Sequence, residues 1–311
     1  MLRYSTYRFV FESLRQFLKF FINLVSPDPN NQAMIYRYIA PDPALQEFVR
    51  DFLVAHFRFD KEQDIPFKPY SPKPEQTITF LPNGNLTIRN PLTGEKQISP
   101  PTSICGQQLS RFNFYLSSEY LMLRVHFHPG ALFRLLRIPL SEFTDCWFDA
   151  ESVIGHEISD VNERLANCLS YAQMIAVVNE YLKTKLSKIT ADKHPLDHVA
   201  SCLFADPTRF SLDWLANQSC LCQRQFNRKF IERMGVGPKL YSRVVRFYKA
   251  YQYKEMHPRE NWLTIAFLFG YTDYQHLVKD FKEFAQVTPN QWMHQANQSP
   301  ERVLYLERAQ K

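Results

Sequence analysis

A diverged repeat near the C-terminus constrains this chain more than any other feature. Phe226, Phe230, Val236 and Pro238 recur as Leu277, Phe281, Val287 and Pro289 at an offset of 51 residues, and Leu215-Ala216 recurs as Ile265-Ala266 at an offset of 50. Each copy reads as a short helix, a tight turn, a short basic helix and a second turn. That is the pattern of a helix-turn-helix unit, whose second helix is shaped to enter a DNA major groove. Helical periodicity predicts helices over 196–204, 212–218, 223–233, 238–256, 262–269, 274–283 and 289–294, with no strand after residue 196. Gly237-Pro238 opens the longest of these and His257-Pro258 closes it.

Charge sharpens the pattern. The net charge is only +6, yet residues 224–249 hold eight Lys/Arg against one acid, Glu232. Localised basic charge is what a phosphate backbone requires, although a solvated helix face looks the same on charge alone. Within the first basic helix, Phe226 and Phe230 share one face, while Arg224, Asn227 and Arg228 share another, with Gln223 at its start. Arg can read guanine bidentately and Asn or Gln can read adenine. In the second copy, Leu277, Phe281 and Phe284 form the apolar stripe, and Tyr274, Gln275, His276 and Lys279 lie outside it. Lys229, Lys239 and Lys282 are candidates for phosphate contact, which positions a protein on DNA without specifying sequence.

Upstream, the chain divides into an amphipathic extension over 1–33, an α+β region over 34–186 and a polar linker over 187–195. The C-terminal domain spans 196–298, and 299–311 is expected as a tail. In the extension Phe11, Leu14, Leu18, Phe21 and Val25 share one helical face and Glu12, Arg15 and Lys19 the other. Its charges forbid a membrane span, leaving three readings: a docked helix, an interfacial helix, or sequence upstream of a natural start at Met34. The α+β region is expected to hold a small curled sheet or partial barrel followed by helices. A helix is expected from Pro43 through Phe52, strands over 77–81, 86–89, 112–116 and 121–127, and helices over 131–136, 158–169 and 172–186. Asn83-Gly84 between two of those strands predicts a hairpin. The six Cys form no Cys-x-x-Cys pair and read as reduced thiols.

Residues 196–294 resemble the C-terminal DNA-binding domain of the AraC/XylS family of bacterial transcription regulators. The resemblance rests on Leu212, Leu215-Ala216, Phe226-x-Arg228-x-Phe230 and Gly235-Val236-Gly237-Pro238. It continues through Arg246-x-x-x-Ala250, Ile265-Ala266, Phe269-Gly270-Tyr271, Phe281-Lys282 and Val287-Thr288-Pro289. It implies two helix-turn-helix units joined by a long helix, with the recognition helices in successive major grooves, and base-facing positions at Arg224, Asn227, Arg228, Tyr274, Gln275, His276 and Lys279. This sequence departs from the family at three places. Cys220 stands in the first unit's turn where Gly is usual, Ala285 and Gln286 replace an aromatic residue and Gly in the last turn, and Lys279 stands where Arg is frequent. The first unit is therefore expected to carry more of the base specificity. Met34-Ile-Tyr-x-Tyr and Phe127-x-Pro129-Gly130 resemble a sensor-like domain found upstream of this domain in some members.

The expected partner is double-stranded DNA. A small-molecule effector in the N-terminal domain, RNA polymerase and a second copy of the chain are further candidates, with no membrane partner and a cytoplasmic, nucleoid-associated location. No cofactor, metal or catalytic residue is expected, and the chain is not expected to be an enzyme. Two rivals stand beside this reading. One is a cupin-like metal-binding or enzymatic domain with a helical appendage, in which His126, His128 and His56 would be the candidate ligands. The other is a DNA-repairing family member with a metal-bound Cys, which lacks its Cys cluster here. The discriminating observation is whether Arg224 and Arg228 face solvent or are buried in ion pairs.

Overall fold

The computed structural model describes residues 34–60, 64–187, 189, 194–208 and 211–309. The amphipathic pattern over 1–33 and most of the expected linker lie outside the described residues. The N-terminal region holds ten strands in two antiparallel, unclosed sheets. The larger orders β1 (Met34–Ile39), β2 (Val49–Arg58), β9 (Glu119–Phe127), β4 (Thr77–Asn83), β7 (Thr102–Cys105) and β10 (Phe148–Asp149). The smaller orders β3 (Lys68–Tyr70), β8 (Phe112–Leu116), β5 (Leu86–Arg89) and β6 (Lys96–Ile98). The helices of this domain are α1 (Ala131–Leu136), α2 (Ala150–Ile154), α3 (Glu157–Ala166) and α4 (Tyr171–Leu186).

Both faces of the large sheet are covered. Phe52, Val54, Leu123 and Val125 point into a core shared with Val161 of α3 and Val178 of α4. Leu53, Ala55, Phe57 and Met122, one residue out of step, point into a second core with Ile88 and Phe114 of the small sheet. Strand alternation makes this division obligatory, and burial on both sides explains why β2 and β9 read as almost unbroken apolar runs.

Two expectations fail here. Pro43 starts only a 3-10 turn over Pro43–Leu45, and the chain from Val49 is strand β2, not a continuing helix. Phe48, Val49 and Phe52 fit a helical stripe, but a short apolar run fits a doubly buried strand equally well, and pairing with β1 and β9 decides it. The Asn83-Gly84 turn joins no hairpin, because β4 pairs with β9 and β7 while β5 pairs with β8 and β6. The turn carries the chain from one sheet to the other, as does the corner after β8. Ser117 ties the two corners together, donating its N–H to Asn85 O at 3.1 Å and accepting from Asn85 N at 2.9 Å. Gly84 has φ +85°, and a Cβ there would stand 2.2 Å from Glu119 O, so this corner needs Gly for space as well as conformation.

The C-terminal region comprises α5 (Pro195–Ala205), α6 (Leu212–Gln218), α7 (Gln223–Met234), α8 (Pro238–Met256), α9 (Trp262–Leu268), α10 (Tyr274–Phe284), α11 (Pro289–Asn297) and α12 (Pro300–Ala309). The last lies where a tail was expected. Two cores flank α8: Tyr241 and Val245 join α5, α6 and α7, whereas Phe247, Ala250 and Tyr251 join α9, α10 and α11.

Arg233 of α7 donates to both carboxylate oxygens of Asp197 on α5, at 2.6 and 2.5 Å, and stacks 4.7 Å from the Phe133 ring of the N-terminal domain. Asp197 is 3% exposed. Asp197→Ala would leave Arg233 charged and unpaired, and should lower stability by about 3–5 kcal/mol in denaturant unfolding. The double variant Asp197→Ala/Arg233→Met should recover most of that loss.

Candidate nucleic-acid interface

The two units are built alike from their caps inward. Ser211 Oγ accepts from Trp214 N at 3.2 Å to start α6, and Asn261 Oδ1 accepts from Thr264 N at 2.8 Å to start α9, fifty residues on. Phe226, Phe230 and Met234 bury one face of α7, and Leu277, Phe281 and Phe284 bury the matching face of α10. The faces opposite are open. Gln223, Arg224, Asn227 and Arg228 are exposed on α7, as are Gln275, His276 and Lys279 on α10. Tyr274 is partly buried against the second core. Among the described residues, no ion pair engages Arg224, Arg228, Lys229, Lys239, Lys279 or Lys282. Lys239 and Lys282 are exposed and Lys229 is partly buried. The side chains whose burial would have argued against a reading face are therefore solvent-facing.

The basic run is not one electrostatic feature. Arg233 is consumed by Asp197. Arg243 Nη2 lies 2.7 Å from Asp280 Oδ1 and 2.6 Å from Glu283 Oε2, and Arg246 Nη2 lies 3.3 Å from Asp280 Oδ2. Tyr271 adds its hydroxyl to Asp280 at 3.0 Å. Lys249 Nζ donates to Ala205 O at 2.5 Å, and burial pushes its ammonium down to about 8. Half of the eight cations therefore hold the domain together, and the positive charge left unpaired is smaller than the sequence suggests. A groove of about 520 Å³ separates the units, lined by Lys239, His276 and Lys279 and floored by the Arg243–Asp280–Glu283 cluster.

Four turn positions take a left-handed backbone, in two equivalent pairs. Between the helices of each unit stand Cys220 (φ +54°) and Gly270 (φ +74°), and after the recognition helices stand Gly235 (φ +85°) and Gln286 (φ +62°). In each pair one unit has Gly and the other does not. The expected departure at Cys220 is thus met without changing the turn.

Residues invisible to sequence pattern grip both following turns. Gln76 Nε2 donates to Arg233 O at 3.2 Å and Thr144 Oγ1 to Gly235 O at 3.3 Å. At the second unit Arg111 Nη1 donates to Ala285 O at 3.1 Å. Leu109 packs against both helical cores, and Asp145 holds its loop, accepting from Leu109 N at 2.6 Å and Ser110 N at 3.0 Å. One buried partner did have a signature: Asp280 sits between Leu277 and Phe281 on the apolar stripe of α10, where an acid implies a buried cation.

The metal rival gains no support. His126 Nδ1 donates to Asp51 at 2.6 Å, His56 Nδ1 bonds the Tyr171 hydroxyl at 2.6 Å, and no group of three metal-ligating side chains occurs among the described residues.

A pair of helix-turn-helix units sharing one linking helix defines a class of DNA-binding regulator. Residues 215–295 match a family described as a helix-turn-helix domain, and residues 37–149 match a domain of unknown function, DUF6597. The chain carries an AraC-type helix-turn-helix domain and is a DNA-binding transcription regulator. Fatty-acid-bound ToxT from Vibrio cholerae is 14% identical, with 78% of this chain and 95% of that chain covered and a TM-score of 0.45. The AraC-like transcriptional activator CuxR is 10% identical, with 64% and 77% covered and a TM-score of 0.24. Cobalt-bound HppE in complex with Tris is 12% identical, with 33% and 60% covered and a TM-score of 0.24. No curated protein matches.

Relieving the two strained turns provides a test of the paired architecture. Cys220→Gly and Gln286→Gly should each raise unfolding stability by about 0.5–1 kcal/mol, measured by denaturant midpoint. DNA affinity should change little, since neither residue lies on the reading faces.

Proposed function

We propose that the protein binds an operator through two successive major grooves, with α7 and α10 as recognition helices, and that its N-terminal domain modulates that binding. The observation carrying this is the pairing of buried inner faces with exposed outer faces on both helices. Arg224, Asn227 and Arg228, with Gln223, form the first reading surface; Gln275, His276 and Lys279, with Tyr274 at its edge, form the second. Lys229, Lys239 and Lys282 contact phosphate. The first surface carries more specificity, because two guanidiniums can each grip a guanine bidentately, whereas the single Lys279 cannot. A non-enzymatic role in the cytoplasm follows. Among the described residues no helix is long and apolar enough to cross a membrane. A small-molecule effector in the N-terminal domain, RNA polymerase and a second copy of the chain are the further partners this role would use.

Arg228→Ala should cost about 1–3 kcal/mol of operator affinity and relax selectivity at one base position, read by fluorescence anisotropy against a panel of single-base variants. Unchanged affinity and selectivity would remove Arg228 from the reading face. For the wild-type chain, log affinity should fall linearly with log salt, and Lys239→Ala should reduce that slope by about one. A flat salt response would refute phosphate-driven binding.

A further inference from the structure

Gln223 opens α7, and its orientation is set from outside that helix. Its Nε2 donates to Oδ1 of Asp213 on α6, ten residues back and across the turn. An ionised carboxylate only accepts hydrogen bonds, so the NH2 end of the amide faces Asp213 and Oε1 faces away. Among the described residues, no hydrogen bond engages the side chains of Arg224, Asn227 or Arg228 on the same surface. In the second unit His276 Nδ1 lies 2.5 Å from Thr272 Oγ1, a contact that either ring tautomer can make. Gln223 thus stands apart from these neighbours as a side chain whose donor and acceptor ends are both assigned. Asp213 is exposed, and its negative charge stands beside a surface that must meet phosphate. An acid there opposes binding to any DNA, so its contribution lies elsewhere. In the first turn of α6 it favours that helix's N-terminus, a role that leaves base preference untouched.

We infer that Asp213 is a positioning residue that fixes Gln223 as a reader of adenine. With one N–H spent on Asp213, Gln223 keeps the other N–H beside Oε1, a donor and an acceptor on one edge. Adenine presents the matching pair in the major groove, N7 accepting and the N6 amino group donating. Guanine presents two acceptors, N7 and O6, so one of them would meet Gln223 Oε1, acceptor against acceptor. An unheld glutamine could swing its NH2 to guanine or its Oε1 to cytosine at little cost, and discrimination would fall. Holding the amide beforehand also removes rotamer freedom that a free glutamine loses on binding. The first reading surface then divides its work, with Gln223 set for adenine beside two guanidiniums suited to guanine. The inference rests on the DNA-reading proposal above and adds the base that one of its side chains selects.

The test uses the full chain to select bound duplexes from a random-sequence DNA library. Single-base variants of the selected operator are then compared by fluorescence anisotropy. The wild-type chain should prefer adenine at one position by about 5- to 150-fold, the range of one good bidentate contact. Gln223→Ala should abolish that preference. Asp213→Asn keeps the shape but can donate as well as accept, so it frees the amide. Preference at the adenine position should fall about two- to tenfold, while affinity for every duplex holds or rises with the loss of a negative charge. Positions lost in Arg228→Ala should be unaffected, which a general loosening of α6 against α7 would not allow. Should Asp213→Asn fail to fold, Asp213→Ser, too short to reach the amide, decides by the same loss. Wild-type preference in the folded Asp213 variants, or a Gln223-dependent position that selects another base, would overturn the inference. If the wild-type chain selects no common sequence, the DNA-reading proposal fails as well. If a common sequence emerges and Arg228→Ala alters it while the Gln223 and Asp213 variants do not, the adenine assignment alone falls.

Discussion

Everything in the C-terminal half depends on α8 serving two cores. It is a 19-residue helix, about 28 Å long, with Tyr241 and Val245 committed to the first core and Phe247, Ala250 and Tyr251 to the second. Neither short unit could bury its apolar face alone, since helices of seven to twelve residues are marginal without tertiary packing. Sharing a rigid helix also fixes the separation of the reading faces, which a flexible linker could not do.

Each unit then adds one buried charge anchor, and the two are arranged oppositely. In the first the recognition helix supplies the cation, Arg233, and α5 the acid, Asp197. In the second the recognition helix supplies the acid, Asp280, and α8 the cations, Arg243 and Arg246. Buried pairs contribute little net stability over apolar packing, but a broken one is costly, so they penalise any other register of helix against helix. The N-terminal domain uses the same logic in its own interior, where Asp51 accepts from both Arg50, at 2.7 Å, and His126. Burial opposes ionisation of Asp51, yet the Arg50 guanidinium and the hydrogen bond from His126 hold its carboxyl down at about 2.

The C-terminal half was legible because its physics is local. Pro238 at the first position of α8 and the helical apolar stripes are written within one turn of the residues they organise, and helices α6 and α8 begin and end where periodicity places them. The exposed outer faces of α7 and α10 were legible for the same reason. The basic run was misleading because charge has no direction in a sequence: Arg243 and Arg228 look alike until Asp280 is found beside one of them, 37 residues away. The N-terminal sheets were least legible, since β2 pairs with β9 across some seventy residues and doubly buried strands lose the alternation that identifies them. Asn83-Gly84 gave the correct turn conformation and the wrong partner strand, because turn chemistry specifies a reversal without specifying which edge the chain meets next.

These constraints limit how the two domains can communicate. The N-terminal domain touches the units at the carbonyls of Arg233, Gly235 and Ala285 and wedges Leu109 between their cores, while the outer faces of α7 and α10 stay exposed. A domain placed this way cannot act by covering base-reading side chains. It can act on the tilt of one recognition helix relative to the other, through turns whose backbone is already left-handed at Gly235 and Gln286. The grips are unequal. The first unit is held by two neutral hydrogen bonds and the Arg233–Asp197 pair stacked on Phe133, whereas the second is held by Arg111, whose guanidinium also lies 5.7 Å from the centre of the Trp292 ring. The two turns are thus held to the N-terminal domain by different chemistry, neutral hydrogen bonds after α7 and a guanidinium after α10.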